Sequence, residues 1–173
     1  MDLLQKDGYR LRAPEPEDLD CMYQFENTPS LWEVGNATGP YSRFHLKQYL
    51  ETNKNDIYAD GQLRLMIESP EKEVVGIIDL FNFEPFHNRA EVGIVIAEGH
   101  RRKGIGQLAL NLLISHCFDY LGIHQLYASI DVTNEASRRL FHRCGFEECG
   151  YMKDWMRTGK TYRDVVMVQR INL

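Results

Sequence analysis

The stretch AEVGIVI (90–96), followed after one residue by EGHRRKGIG (98–106) and then by QLALNLLISHCFDYLG (107–122), decides how this chain folds. The first segment is short, apolar and rich in β-branched residues, and so reads as a buried strand over 90–97. In the third, Leu108, Ala109, Leu112, Leu113 and Cys117 recur at helical spacing, joined by Ile105 from the second, so a helix is expected over about 103–120. Between them lie three glycines and three consecutive cations. A strand that turns into a helix through such a loop, with another alternating strand at 125–132, makes a parallel β-α-β unit.

Working outward, 9–12 reads as a first strand. Pro14 and Pro16 end it and open a helix whose first turn holds Glu15, Glu17 and Asp18. A loop spans 27–40. A second helix starts near Ser42, with Phe44, Leu46, Tyr49 and Leu50 as its buried side. Strands are expected at 64–69 and 74–83. Thr133 or Asn134 caps the next helix, which stops at Gly145-Phe146. Strands at 147–155 and 163–170 close the chain. The fold class is α/β: a mixed, mostly antiparallel seven-stranded central sheet flanked by about four helices, in one domain over 1–173.

Composition narrows the function. The net charge of -5 and pI near 5.7 speak against a nucleic-acid partner, which normally requires a basic face. Weakly, they favour a cationic substrate. No apolar run approaches the ~18 residues of a membrane span, and the N-terminus lacks a signal-peptide pattern. Cys21, Cys117, Cys144 and Cys149 form no C-x-x-C pair and read as small reduced hydrophobes. A cytoplasmic location is the resulting expectation.

The glycine-basic loop fits poorly as a nucleotide loop of the Walker type, because Ile105-Gly106 stands where Lys-Ser/Thr is required. As a dinucleotide fingerprint it lacks the acidic residue at a strand end ~20 residues on. A solvated basic turn is the bland alternative. The reading that uses every feature is R-x-x-G-x-G over 101–106. Glycines let backbone approach a ligand, and the unpaired N–H groups of the first helical turn point at an anion. Arg101, Arg102 and Lys103 add charge. That makes a pyrophosphate cradle without metal.

With this loop, the strand before it, NEASRRLFHRCGF (134–146) after the next strand, and GKTYRDVVMVQR (159–170) at the end, the sequence resembles the GNAT N-acetyltransferases over roughly 8–171. The second segment resembles that family's N-x-x-[SA]-x-x-x-[YF]-x-x-x-G-F signature. HNRAEVGIVI (87–96) is similar to a segment of the spermidine N-acetyltransferases; the branch that acetylates ribosomal-protein N-termini shows a similar tail. The resemblance implies the acyl-CoA N-acyltransferase fold and acetyl-coenzyme A as co-substrate. It implies direct transfer to a primary amine, a polyamine or other small amine, with the N-terminus of a ribosomal or other protein as the alternative acceptor. A non-catalytic coenzyme A-binding module is the competing class. The protein would be a monomer or homo-oligomer, without nucleic-acid or membrane partners.

Site residues follow from the resemblance. For the coenzyme these are main-chain groups of Ile94, Val95 and Ile96, the loop Arg101, Arg102, Lys103, Gly104, Ile105 and Gly106, and Asn134, Ser137 and Phe141 from the last helix. Asn134 serves equally as a plain N-cap. Arg138 and Arg139 either reach the adenosine phosphates or form a solvated face. Gly93 fits a bulge that splays its strand from 125–132, or simply relieves packing. An N–H in that gap would stabilise the oxyanion, worth roughly 3 kcal/mol. An alkylamine with pKa ~10 arrives protonated, so a base is needed: Glu91 first, with Asp79 and Glu84 as alternatives. Trp32, Glu33, Asp79 and Tyr162, with Tyr41 and Trp155, would meet the acceptor. Relatives often supply a Tyr to protonate the leaving thiolate; Phe141 stands there. Water or Tyr151 in its place, a reaction that needs no acid, or no turnover are the three routes left open. No histidine spacing suggests a catalytic metal.

Overall fold

The computed structural model describes residues 3–28 and 38–173. Among these, eight strands form one sheet in the order β1-β2-β3-β4-β5-β6-β8-β7. They are β1 (Gln5–Lys6), β2 (Tyr9–Arg12), β3 (Leu63–Glu68), β4 (Val74–Glu84), β5 (Arg89–Ile96), β6 (Gln125–Asp131), β7 (Glu147–Thr158) and β8 (Thr161–Ile171). The helices are α1 (Leu19–Glu26), α2 (Arg43–Thr52), α3 (Ile57–Asp60), α4 (Ile105–Ser115) and α5 (Glu135–Arg143). The strand beyond the seven expected is β1, two residues that hairpin onto β2 through Asp7 and Gly8, both at positive φ. Two residues carry too little periodicity to read from sequence. The helix expected to 120 ends as α4 at Ser115 and continues as one wider turn, His116–Tyr120.

Every adjacent strand pair is antiparallel except β5 and β6. That parallel pair is the β-α-β unit around α4. Its return is set by Gly122 (φ 67), which stops the helix and lets Ile123 N–H bond Cys117 O. Asn134 is the α5 cap, its side-chain oxygen accepting from Ser137 N–H; Thr133 instead bonds Asp131.

Apolar residues sort onto two faces by strand alternation. One face packs Leu65, Ile78, Val92, Leu126, Ala128 and Val166 against α4 and α5. The other packs Met66 and Ile77 against Met22 of α1 and Leu46 of α2. Leu46 is buried as expected, but Phe44 is 65% exposed, one residue off the buried stripe. Cys117 and Cys144 are buried and Cys21 is half-buried. Burial pushes the Cys117 thiol up to about 12, so it behaves as a hydrophobe. Cys149 departs from that reading, because it lies exposed on β7.

At the β2 edge, Glu68 is buried between Arg10 (2.7 Å) and Arg12 (2.5 Å), and Arg12 also holds Asp18 through two bonds of 2.7 and 3.0 Å. Burial alone would raise both carboxyls; the arginine bonds outweigh it and hold them below their ordinary values. This network fastens the first turn of α1 to the sheet, remote from the site described next.

Candidate active site

β5 and β6 are paired only at Arg89↔Gln125, Ala90↔Leu126 and Glu91↔Tyr127. Beyond Glu91, β5 keeps β4 on one side as far as Ile96 and has no strand on the other. A cleft of about 470 Å³ opens in that gap. On the α5 side it is lined by Val92, Ile94, Ala128, Ile130, Asn134, Ser137 and Phe141. On the opposite side it meets Phe81, Asn82, Glu91, Tyr127, Ser129, Asp131, Met152, Trp155, Met156 and Met167. Alternation along β5 and β6 puts Val92, Ile94, Ala128 and Ile130 on one face and Glu91, Tyr127, Ser129 and Asp131 on the other, so the cleft runs through the sheet.

The gap does not arise from a bulge at Gly93. The β4–β5 register runs unbroken from Gly76↔Ile96 to Phe81↔Glu91, with Gly93 opposite Asp79. The strands diverge because β6 turns away to pair with β8 along its whole length. Gly93 serves packing instead: a Cβ there would meet the Phe81 ring at 3.2 Å.

The glycine-basic loop leads from the end of β5 to α4. It makes a 3-10 turn (Glu98–His100), then places Arg102 at φ 62 and Gly104 at φ 78. Gly104 is the N-cap and supplies no side-chain bond, so the first-turn amides keep no protein cap. Left-handed residues on both sides of Lys103 are the backbone pattern from which an anion-binding nest of N–H groups is built. The glycines split their tasks. Gly104 supplies the left-handed φ in open space, whereas a Cβ on Gly106 would meet Leu140 at 3.3 Å, so Gly106 lets α4 and α5 approach. Arg101 folds back onto the end of β5, its Nε donating to Ile96 O at 3.0 Å. Arg101, Arg102 and Lys103 are all exposed. Ile105 is buried and offers only backbone.

Asn134 caps α5 and lines the cleft, so both of its expected roles meet in one residue. Phe141 is 2% exposed and packs edge-on to Phe146, ring centroids 4.9 Å apart. It is at once core and cleft wall. Arg138 is committed to Glu148 and to Val132 O, and Arg139 pairs with Glu135 across exposed surface.

Of the two carboxylates that line the cleft among the described residues, Asp131 pairs with Arg163 at 3.1 Å, whereas Glu91 accepts from Asn82 Nδ2 at 2.9 Å and makes no ion pair. Asp79 lies outside the lining. Arg64 grips both its oxygens at 2.9 Å and holds Glu26 at 2.6 Å. Glu84 ends β4 exposed, beyond a register shift. Tyr162 and Tyr41 are exposed away from the lining, and Tyr151 donates to Glu148 on the outer surface. Trp32 and Glu33 fall outside the described residues. Tyr127, Ser129 and Asp131 went unread, although their period-2 polarity opposite a buried Leu126-Ala128-Ile130 stripe was a usable signal. Burial first, then the nearby Glu91 charge, raise the Tyr127 hydroxyl, which stays protonated at neutral pH.

Residues 9–147 match the family described as acetyltransferase (GNAT) domain. The spermidine N(1)-acetyltransferase of Vibrio cholerae serotype O1 is 27% identical over 155 residues, covering 90% of this chain and 88% of that protein. The ribosomal-protein-serine acetyltransferase of Escherichia coli K12 is 28% identical, covering 66% of this chain and 64% of its own. Among solved structures, the Vibrio cholerae spermidine N-acetyltransferase in complex with CoA and spermine superposes with a TM-score of 0.88 at 24% identity, covering 96% of this chain and 97% of that one. Among the described residues, no helix is long and apolar enough to cross a membrane.

Proposed function

This chain belongs to the GNAT acetyltransferase family, and we propose that its acceptor is a small primary amine, a polyamine first, which enters on the Glu91 side of the sheet while acetyl-coenzyme A enters on the α5 side. The observation that carries this is the cleft itself, which passes through the sheet between the open β5 edge, whose end leads to the uncapped α4 N-terminus, and a lining carboxylate without an ion pair among the described residues. The similarity to a spermidine N(1)-acetyltransferase over 90% of the chain supports the amine class.

The donor fits the residues present. Backbone amides of 102–106 would hold the pyrophosphate, and the β5 edge beyond Glu91 would bond the pantetheine as a partner strand does. Asn134 and Ser137 border the same path. Glu91 takes a proton from the ammonium, and the neutral nitrogen attacks the thioester carbonyl. A β5 N–H in the gap bonds the oxyanion. Collapse forms the amide and breaks the C–S bond; the second nitrogen proton passes through water to the departing thiolate, whose thiol has an ordinary pKa of ~8.5. Phe141 has no proton to give and Tyr151 donates to Glu148 outside the cleft lining, which supports water as the relay.

Purified protein mixed with acetyl-coenzyme A and a panel of polyamines, alkylamines, amino acids and N-terminal peptides tests the reading. Coenzyme A release with a small amine is expected. Tight acetyl-coenzyme A binding without release across the panel would instead indicate a binding module.

A further inference from the structure

The acceptor mouth contains an irregularity that the family resemblance does not explain. β7 and β8 pair as Met152↔Val165 and then as Met156↔Arg163, so residues 153–155 stand opposite Asp164 alone. Asp154, at the centre, sits at φ 48, a conformation that costs a non-glycine residue energy. It is held there by Asp164, whose Oδ1 accepts the Asp154 N–H at 2.9 Å. Asp164 is itself fixed, because its carbonyl accepts the Val132 N–H at 3.1 Å.

The bulge changes which side chains share a face. In an unbroken strand 152, 154 and 156 point one way and 155 the other. Here Met152, Trp155 and Met156 all line the cleft. Trp155 is 58% exposed, so its ring is not there to fill a core. Across the cleft stand Tyr127 and Glu91, which of the two lining carboxylates is the one without an ion pair among the described residues.

We propose that this bulge is a specificity device: by holding the Asp154 N–H, Asp164 turns Trp155 into the acceptor mouth, where its ring meets the ammonium and alkyl chain of the incoming amine. The inference rests on the amine entering from the Glu91 side. A cation over an indole face gains attraction that a truncated side chain cannot supply. Asp164 is a positioning residue that acts through Trp155. Disruption of an unprotected edge strand is the other use of a bulge, and it predicts no effect on amine recognition.

Steady-state kinetics with spermidine and n-butylamine decide between them, using Trp155→Ala, Asp164→Ala, Asp164→Asn and the double alanine variant. Trp155→Ala leaves the backbone bulge in place, and its amine KM should rise about tenfold while the acetyl-coenzyme A KM stays within about twofold. Asp164→Ala should do the same. Asp164→Asn should restore most of the loss, since its amide oxygen accepts the same N–H. The double variant should be no worse than either single one, because both remove one interaction. An unchanged amine KM in Trp155→Ala, additive losses in the double variant, or no rescue by Asn would each overturn the proposal. A wild type that turns over no amine in the panel would overturn the acceptor reading and the bulge proposal with it; an active Asp164→Ala with unchanged amine KM would overturn the bulge proposal alone.

Discussion

On the α4–α5 side of the sheet the cleft and its approach are built largely from backbone: an open β5 edge, two left-handed residues and an uncapped helix end. On the other side they are built from side chains, with Glu91, Tyr127, Trp155 and three methionines around the mouth. On the proposed reading, the first arrangement would recognise what every acetyl-coenzyme A molecule presents, a pyrophosphate and an amide-bearing arm, and the second would meet the amine. Backbone sites tolerate change in most side chains yet fail when φ is forbidden; side-chain sites fail residue by residue. The match to the family ends at 147, where β7 begins, so the wall formed by Met152, Trp155 and Met156 lies beyond the matched segment.

If the two sides are separate, damage to one should spare the other. The largest effect is expected from Glu91→Gln, which removes the base and keeps the Asn82 contact. Loss of general base catalysis should lower kcat by roughly 10²–10³-fold, with acetyl-coenzyme A affinity by calorimetry unchanged within about twofold. Next is a change remote from both mouths. Arg12→Ala leaves Asp18 buried without its cation and Glu68 with Arg10 as its remaining close partner, and should cost about 3 kcal/mol, read as a lower denaturant midpoint, with both KM values intact. The pH dependence of this network has a definite sign. Both carboxyls sit below their ordinary values when folded, so their stabilisation is complete above the unfolded values near ~4 and is lost as pH falls through the folded ones. The Arg12→Ala penalty should therefore shrink in acid. Smallest is Asn134→Ala, which removes a cap worth about 1 kcal/mol and should weaken acetyl-coenzyme A binding slightly without touching the amine KM.

The same division explains what could be read in advance. The strand–glycine loop–helix succession, the Asn134 cap and the Gly145 stop are local rules written into consecutive residues, and they placed the elements that flank the α4–α5 side of the cleft. Glu91 was found because it begins the strand that runs into the gap. Asp79 was misleading, since the two hydrogen bonds it accepts from Arg64 join residues 15 apart on neighbouring strands. Trp155 was legible as an aromatic near the acceptor, but not its direction, because a bulge breaks the alternation from which facing is inferred. Gly93 looked like a bulge and is a packing contact with Phe81, a relation set by register alone.

On the proposed reading the coenzyme is held by backbone that Gly104 keeps in the left-handed region. Gly104→Val places a β-branched residue at φ 78 in open space, so it strains the loop without a clash. Calorimetric titration of this variant with acetyl-coenzyme A is the direct test. The account predicts at least about a 30-fold loss of affinity, the equivalent of about 2 kcal/mol of backbone strain, in a protein whose circular dichroism is unchanged. Wild-type affinity in a folded Gly104→Val would contradict it.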